Sequence, residues 1–145
     1  MERINLSKVD AEAYKAMLGL EKYIAQSGLD KTLYELIKTR ASQINGCAFC
    51  INMHTRDAMK LGETAQRLFL LDAWRETELF STKEKAVLEL TEAMTLITKN
   101  HVSDEIYNKA AALLTTNELS AVIMAIVTIN AWNRIAITTR LPIDS

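Results

Sequence analysis

Proline occurs once and glycine four times in 145 residues, so the chain has few places where a helix is forced to stop. The segments between those places are long enough for helices rather than strands, which points to an all-α chain. Cysteine is scarce too, and two residues cannot build the disulfide framework of a small secreted domain. A basic excess is missing: 17 Lys+Arg stand against 18 Asp+Glu, which excludes the electrostatic footprint of a nucleic-acid-binding domain. The opening Met1-Glu2-Arg3-Ile4-Asn5 has no apolar core of the kind a secretory signal needs. The expectation is a cytosolic protein.

What the chain has in quantity is apolar side chains. A hydrophobic fraction of 49% with a formal net charge of −1 excludes intrinsic disorder, which needs low apolar content and unbalanced charge. The length suits one domain over residues 1–145, and no linker, low-complexity tract or fixed-period repeat divides it. Leu119 to Ile137 approaches the length of a membrane span, but Asn130, Asn133 and Arg134 would be expensive in lipid. That segment reads as the central helix of a soluble core.

Capping residues and apolar spacing predict a bundle of about six to seven helices. Asp10 caps a first helix with Tyr14, Met17, Leu18 and Ile24 on one face, stopped by Ser27-Gly28. Asp30 opens a second, with Leu33, Leu36, Ile37, Ala41 and Ile44 inward and Asn45-Gly46 as its left-handed end. A third starts near Cys47 and runs to Gly62, and a short fourth spans Thr64 to about Trp74. Ser81-x-x-Glu84 is a capping box for a fifth helix reaching about Lys99. Ser103 or Asp104 caps a sixth, and Thr115-x-x-Glu118 forms a second capping box before the last apolar helix, which ends at Leu141-Pro142.

Reactive side chains are dense in one place, Glu35 followed by Cys47-Ala48-Phe49-Cys50-Ile51-Asn52-Met53-His54. With a helix starting near Cys47, the spacings Cys47/Cys50 and Cys50/His54 bring two thiols and an imidazole onto one stripe. A Cys-x-x-Cys at a helix start favours thiolate, because unpaired N–H groups and the positive end of the dipole stabilise negative sulfur. Two sulfurs at this spacing can also close and reopen a disulfide, a two-electron switch. Zinc is the rival chemistry, with Cys47, Cys50 and His54 as three ligands and only Glu35 or the distant His101 as a fourth. The bland alternative makes both cysteines small buried apolar residues and His54 a hydrogen-bonded core residue.

Elsewhere, Trp74, Trp132, Phe69 and Phe80 are assigned to the core or a subunit interface, and the charges Lys83, Glu84, Lys85, Glu89 and Glu92 to a solvated helix face. Asn130 and Arg134, inside an apolar helix, call for an ion pair or an interface contact. His101, at a helix break, is assigned no chemistry.

A Glu separated by eleven residues from Cys-x-x-Cys-x-x-x-His, here Glu35, Cys47, Cys50 and His54, resembles the alkylhydroperoxidase AhpD-like proteins of the carboxymuconolactone decarboxylase superfamily. Arg40-Ala41-Ser42-Gln43-Ile44-Asn45-Gly46 and Met53-His54-Thr55 add to the likeness, which is strongest over Leu33 to Trp74. The resemblance implies an all-helical fold assembling into trimers or hexamers, and thiol-dependent peroxidase activity. It makes Cys50 the peroxidatic thiol, Cys47 the resolving thiol, and His54 and Glu35 members of a proton relay. The implied partners are a small hydroperoxide, an external dithiol reductant and further copies of the chain, with no cofactor, resident metal, nucleic acid or membrane. Phe49 departs from the pattern, since well-studied AhpD enzymes carry a relay histidine just before the second cysteine. The competing functions are a non-redox lactone decarboxylase-like enzyme on the same scaffold and a zinc-stabilised oligomeric binding protein.

Overall fold

The computed structural model describes residues 3–143. It is all-helical among those residues: α1 (Leu6–Val9), α2 (Ala11–Gln26), α3 (Lys31–Asn45), α4 (Ala48–Lys60), α5 (Ala65–Phe69), a 3-10 segment (Leu71–Glu76), α6 (Thr82–Thr95), α7 (Ile97–Asn100), α8 (Asp104–Leu113) and α9 (Thr116–Thr139). The capping residues act where the spacing puts them. Asp10, Asp30, Thr64, Ser103 and Thr115 each accept from the backbone N–H three positions on, and Ser81 with Glu84 completes a reciprocal capping box. Two of the predicted helices break into pieces. The fourth turns into the 3-10 segment after Leu70, and the fifth is interrupted at Leu96, leaving α7 as a single turn. The second predicted capping box is half formed: the Glu118 carboxylate accepts from Lys83 Nζ at 2.6 Å, on α6, rather than from its own helix start.

Helix α3 occupies the centre, against α4, α6 and α9. Its Leu33, Ile37 and Ala41 enter the main core with Val87 and Leu90 of α6, Ala110 of α8, and Val122, Ala125, Ile126 and Ile129 of α9. Its Leu36 faces a second core of Ala58, Leu68, Leu71, Trp74, Phe80 and Leu88. Each fully buried Leu or Ile contributes roughly 1.5–3 kcal/mol, so these two clusters hold α3 by adjoining faces. The remaining side of α3, carrying Glu35, Lys38 and Ser42, is buried as well and points to the cysteines and the cleft beside them.

Helix α9 is long and apolar enough to cross a membrane by length and composition, yet its Leu119, Val122, Ile126 and Ile129 are core residues. Arg134 is exposed and has no ion pair among the described residues; its guanidinium donates back to the Asn130 main-chain oxygen and Oδ1. Helix α2 packs on α9 but buries only Ile24 fully, leaving Tyr14 and Leu18 partly exposed, against the inward face expected for them. Phe69 is likewise no core residue, at 80% exposure. Trp74 and Phe80 are buried in the second core, and Trp132 packs on the edge of the first. The charges of α6 are not a free solvated face: Glu84 binds Arg67, and Glu92 accepts from Arg40, Arg75 and Trp74.

Candidate active site at the start of helix α4

Gly46 ends α3 with φ +69°, the left-handed conformation that a Cβ disfavours, and so turns the chain sharply into Cys47. Cys47 is the N-cap of α4. Its own N–H donates to Ser42 O at 3.0 Å, and its Sγ accepts from the Cys50 N–H at 3.4 Å. Cys47 and Cys50 are joined as a disulfide across a Cα–Cα distance of 5.3 Å. They pack with Ala136, Phe49 and Leu141, at 1% and 2% exposure. An amide lattice holds α9 against this turn: Asn45 Nδ2 donates to Asn130 Oδ1 at 3.0 Å and to Asn133 Oδ1 at 2.9 Å, and Asn133 Nδ2 donates to Ser42 Oγ at 3.0 Å. Asn130 Nδ2 donates to Thr95 Oγ1 at 3.0 Å, which ties in α6. The buried amides of α9 are thus satisfied within the chain, where a salt bridge or subunit contact was expected of Asn130.

One turn beyond Cys50, buried His54 meets Glu35 across the α3–α4 contact, Nδ1 to Oε2 at 3.2 Å. Lys38 Nζ donates to the other oxygen of Glu35 at 2.8 Å and sits over the Tyr34 ring, 3.8 Å from its centroid. Burial pushes the Glu35 carboxyl up, but the hydrogen bonds from His54 and Lys38 outweigh it and hold the group below the usual carboxylate range. An ionised Glu35 accepts only, so His54 Nδ1 carries the hydrogen and donates it, leaving Nε2 as the free ring nitrogen. Behind them Tyr34 Oη donates to Glu21 Oε2 at 2.8 Å and Trp132 Nε1 to Glu21 Oε1 at 3.0 Å. Burial, with the neighbouring Glu21 charge, raises the Tyr34 hydroxyl well above its ordinary value, so it stays a donor.

Cys50 and His54 line a cleft of about 350 Å³ between α2, α4 and α9. Phe49, Met53, Trp132 and Leu18 give it an apolar wall, and Lys38, Asp57 and Glu21 its charges. Cys47 lies behind Cys50 and is not part of that wall. The arrangement can present one sulfur to a bound molecule, pair it with a second sulfur from behind, and move a proton along His54 and Glu35.

Residues 11–93 match the carboxymuconolactone decarboxylase family, more than half of the chain. The chain belongs to that family. Within the carboxymuconolactone decarboxylase family it is AhpD-like: it is 37% identical to a protein of unknown function from Agrobacterium tumefaciens whose name points to the antioxidant defence protein AhpD. The two superpose with a TM-score of 0.96 over 100% of this chain and 99% of the other. The chain is also 46% identical to the uncharacterized protein YdfG of Bacillus subtilis (strain 168), over 94% of its own length and 92% of the relative's. An uncharacterized peroxidase-related protein from Silicibacter sp. TM1040 shares the fold, with a TM-score of 0.82 at 18% identity over 94% of this chain and 72% of the other.

Of the four family-motif residues of this carboxymuconolactone decarboxylase-type bundle, Cys50 and His54 line the cleft, Cys47 is bonded to Cys50 from behind, and Glu35 reaches His54 from α3. His101 does not: it is exposed at the end of α7, so it is no fourth zinc ligand to the cysteines. Sequence reasoning passed over Lys38 and Asp57. The available signals were a lysine three residues after Glu35 within an apolar stretch, and a carboxylate three residues after His54 on the same helix face.

Proposed function

We propose that the protein is a cytosolic, thiol-dependent peroxidase that reduces small hydroperoxides with the Cys47–Cys50 pair. The observation that carries this reading is the shared cleft wall of Cys50 and His54, with Cys47 bonded to Cys50 from behind. In the reduced protein the Cys50 thiolate attacks the O–O bond; Cys50 becomes a sulfenic acid, and the alcohol leaves with a proton relayed through His54, which Glu35 orients. The Cys47 thiol then displaces water from Cys50 to form the disulfide, and an external dithiol returns both thiols while becoming a disulfide itself. The net reaction consumes one hydroperoxide and one dithiol and yields alcohol, water and the oxidised dithiol. A dithiol-driven cycle suits a reducing compartment, which supports the cytosol as its location. Phe49 carries no proton, so His54 and the solvent of the cleft do the relaying.

One equivalent of an organic hydroperoxide added to the reduced protein should remove both thiols and leave a Cys47–Cys50 disulfide in the mass spectrum. Cys50→Ser should abolish hydroperoxide consumption. Cys47→Ser should allow one attack, stop turnover and trap a sulfenic acid. Two thiols untouched in the folded wild-type protein would overturn the peroxidase reading and transfer the bet to acid/base chemistry by Glu35 and His54.

The working unit is proposed to be a homo-oligomer, a trimer or a hexamer. Exposed apolar side chains support it, among them Val9, Phe69, Val127 and Ile137. A single-chain mass in light scattering at micromolar concentration would exclude that assembly.

A further inference from the structure

The charges around the cleft are not balanced. Its charged lining is Glu21, Lys38 and Asp57, set among apolar side chains that include Phe49, Met53 and Trp132. The ammonium is already matched: Lys38 Nζ lies 2.8 Å from Glu35 Oε1 and stands over the Tyr34 ring, so Glu35 cancels its charge. Glu21 takes its hydrogen bonds from uncharged donors, Tyr34 Oη at 2.8 Å and Trp132 Nε1 at 3.0 Å, which leave its charge in place. Asp57 has one ion pair among the described residues, a loose contact of 4.0 Å to the exposed Lys60. A pair so exposed cancels little. Two carboxylates therefore face the cleft without a matching cation inside it, and a cavity with apolar walls screens their field less than open water does.

We propose that the cleft selects its occupant by charge: it admits a compact apolar hydroperoxide without a negative charge and turns away one bearing a carboxylate, and Asp57 sets that discrimination. An anionic occupant gives up hydration on entering and meets two like charges, whereas an uncharged one meets only apolar wall and hydrogen-bonding groups. Glu21 is engaged in holding Tyr34 and Trp132, which leaves Asp57 as the carboxylate whose role is its charge. Asp57 follows Cys50 and His54 along α4, and all three line the cleft. At 1.5 Å per residue it stands about 10 Å along the helix axis from Cys50, within the length of an aryl hydroperoxide whose reacting oxygen is at the sulfur. The proposal names the substrate class of the peroxidase reading and rests on it for the reacting group; the preference for charge belongs to the cleft alone.

The test compares two probes of one shape, cumene hydroperoxide carrying a para carboxamide and its para carboxylate counterpart, with a small dithiol as reductant. Wild type should consume the carboxamide with a kcat/KM at least roughly tenfold higher, the difference lying in KM. Asp57→Asn should narrow that ratio to about threefold or less, and Asp57→Glu should keep it. A wild-type ratio near one, or a ratio that Asp57→Asn leaves unchanged, would overturn the proposal. The corresponding alcohols, titrated by calorimetry into the disulfide form, read the same preference without turnover. There the carboxamide alcohol should bind at least about tenfold more tightly than the carboxylate, and Asp57→Asn should again close the gap. Equal binding of the two alcohols, or none of the carboxamide, would overturn the charge selection. If the alcohols bind in the expected ratio while neither hydroperoxide is consumed, the peroxidase reading falls and the selection by charge stands.

Discussion

Lys38 shows how a single side chain sets the state of its neighbours. A lysine this deeply buried is held by its partners, here the Glu35 carboxylate and the face of Tyr34. It supplies one of the two hydrogen bonds that keep Glu35 ionised, and an ionised Glu35 keeps the His54 ring oriented. Lys38→Met should therefore let the Glu35 carboxyl rise toward its ordinary value and lower stability by about 1–3 kcal/mol, read from urea unfolding. The acid limb of the pH–rate profile for hydroperoxide attack should move to higher pH, because Glu35 then protonates earlier as pH falls. An unchanged profile with reduced stability would make Lys38 purely structural.

Among the elements, the α3–α4 junction does the positioning. Gly46 allows the reversal that makes Cys47 an N-cap, and the amide lattice from Asn45, Asn130 and Asn133 fastens it to α9. A Cβ on Gly46 would meet nothing within 4 Å, so the cost of adding one is conformational rather than steric crowding. Gly46→Ala should lower stability by roughly 1–2 kcal/mol in urea unfolding, as expected for a left-handed residue that gains a side chain. A change within a few tenths of a kcal/mol would mean that the turn relaxes at no expense. The caps around this junction were legible because each rests on a short spacing between named residues. The breaks at Leu70 and Leu96 were not, since no glycine or proline marks them.

For the molecule as a whole, acid is the revealing variable. Burial raises the carboxyls of Glu35, Glu84 and Glu92, but hydrogen bonds from His54 and Lys38, from Arg67 and Ser81, and from Arg75 and Arg40 outweigh it, and all three lie below the ordinary value of 4.5. In the unfolded chain these groups return to that value, so their contribution is complete above it and is lost as pH falls through the lower folded values. The urea midpoint should hold steady from pH 7 to about pH 5 and then drop steadily below 4.5, the ordinary carboxylate value. Replacing Glu84 and Glu92 together by glutamine should lower the midpoint at pH 7 and flatten that drop. A midpoint that does not fall in acid would show that the three carboxylates contribute no net stability.

By itself the sequence determined the helical class, the positions of the caps, the core role of the last helix, and the stripe on which Cys47, Cys50 and His54 follow one another. Those features depend on period, on capping chemistry and on short spacings, all of which act between neighbours in the chain. The tertiary structure alone decided that Phe69 is bare, that Asn130 and Asn133 satisfy one another's neighbours inside the chain, and that Glu84 and Glu92 belong to half-buried ion pairs rather than to a wet helix face. It alone brought Lys38 to Glu35's second oxygen and Asp57 to the cleft beside Cys50. The reason is physical: burial and partnership depend on which helix faces meet, and that is set by packing between segments far apart in sequence.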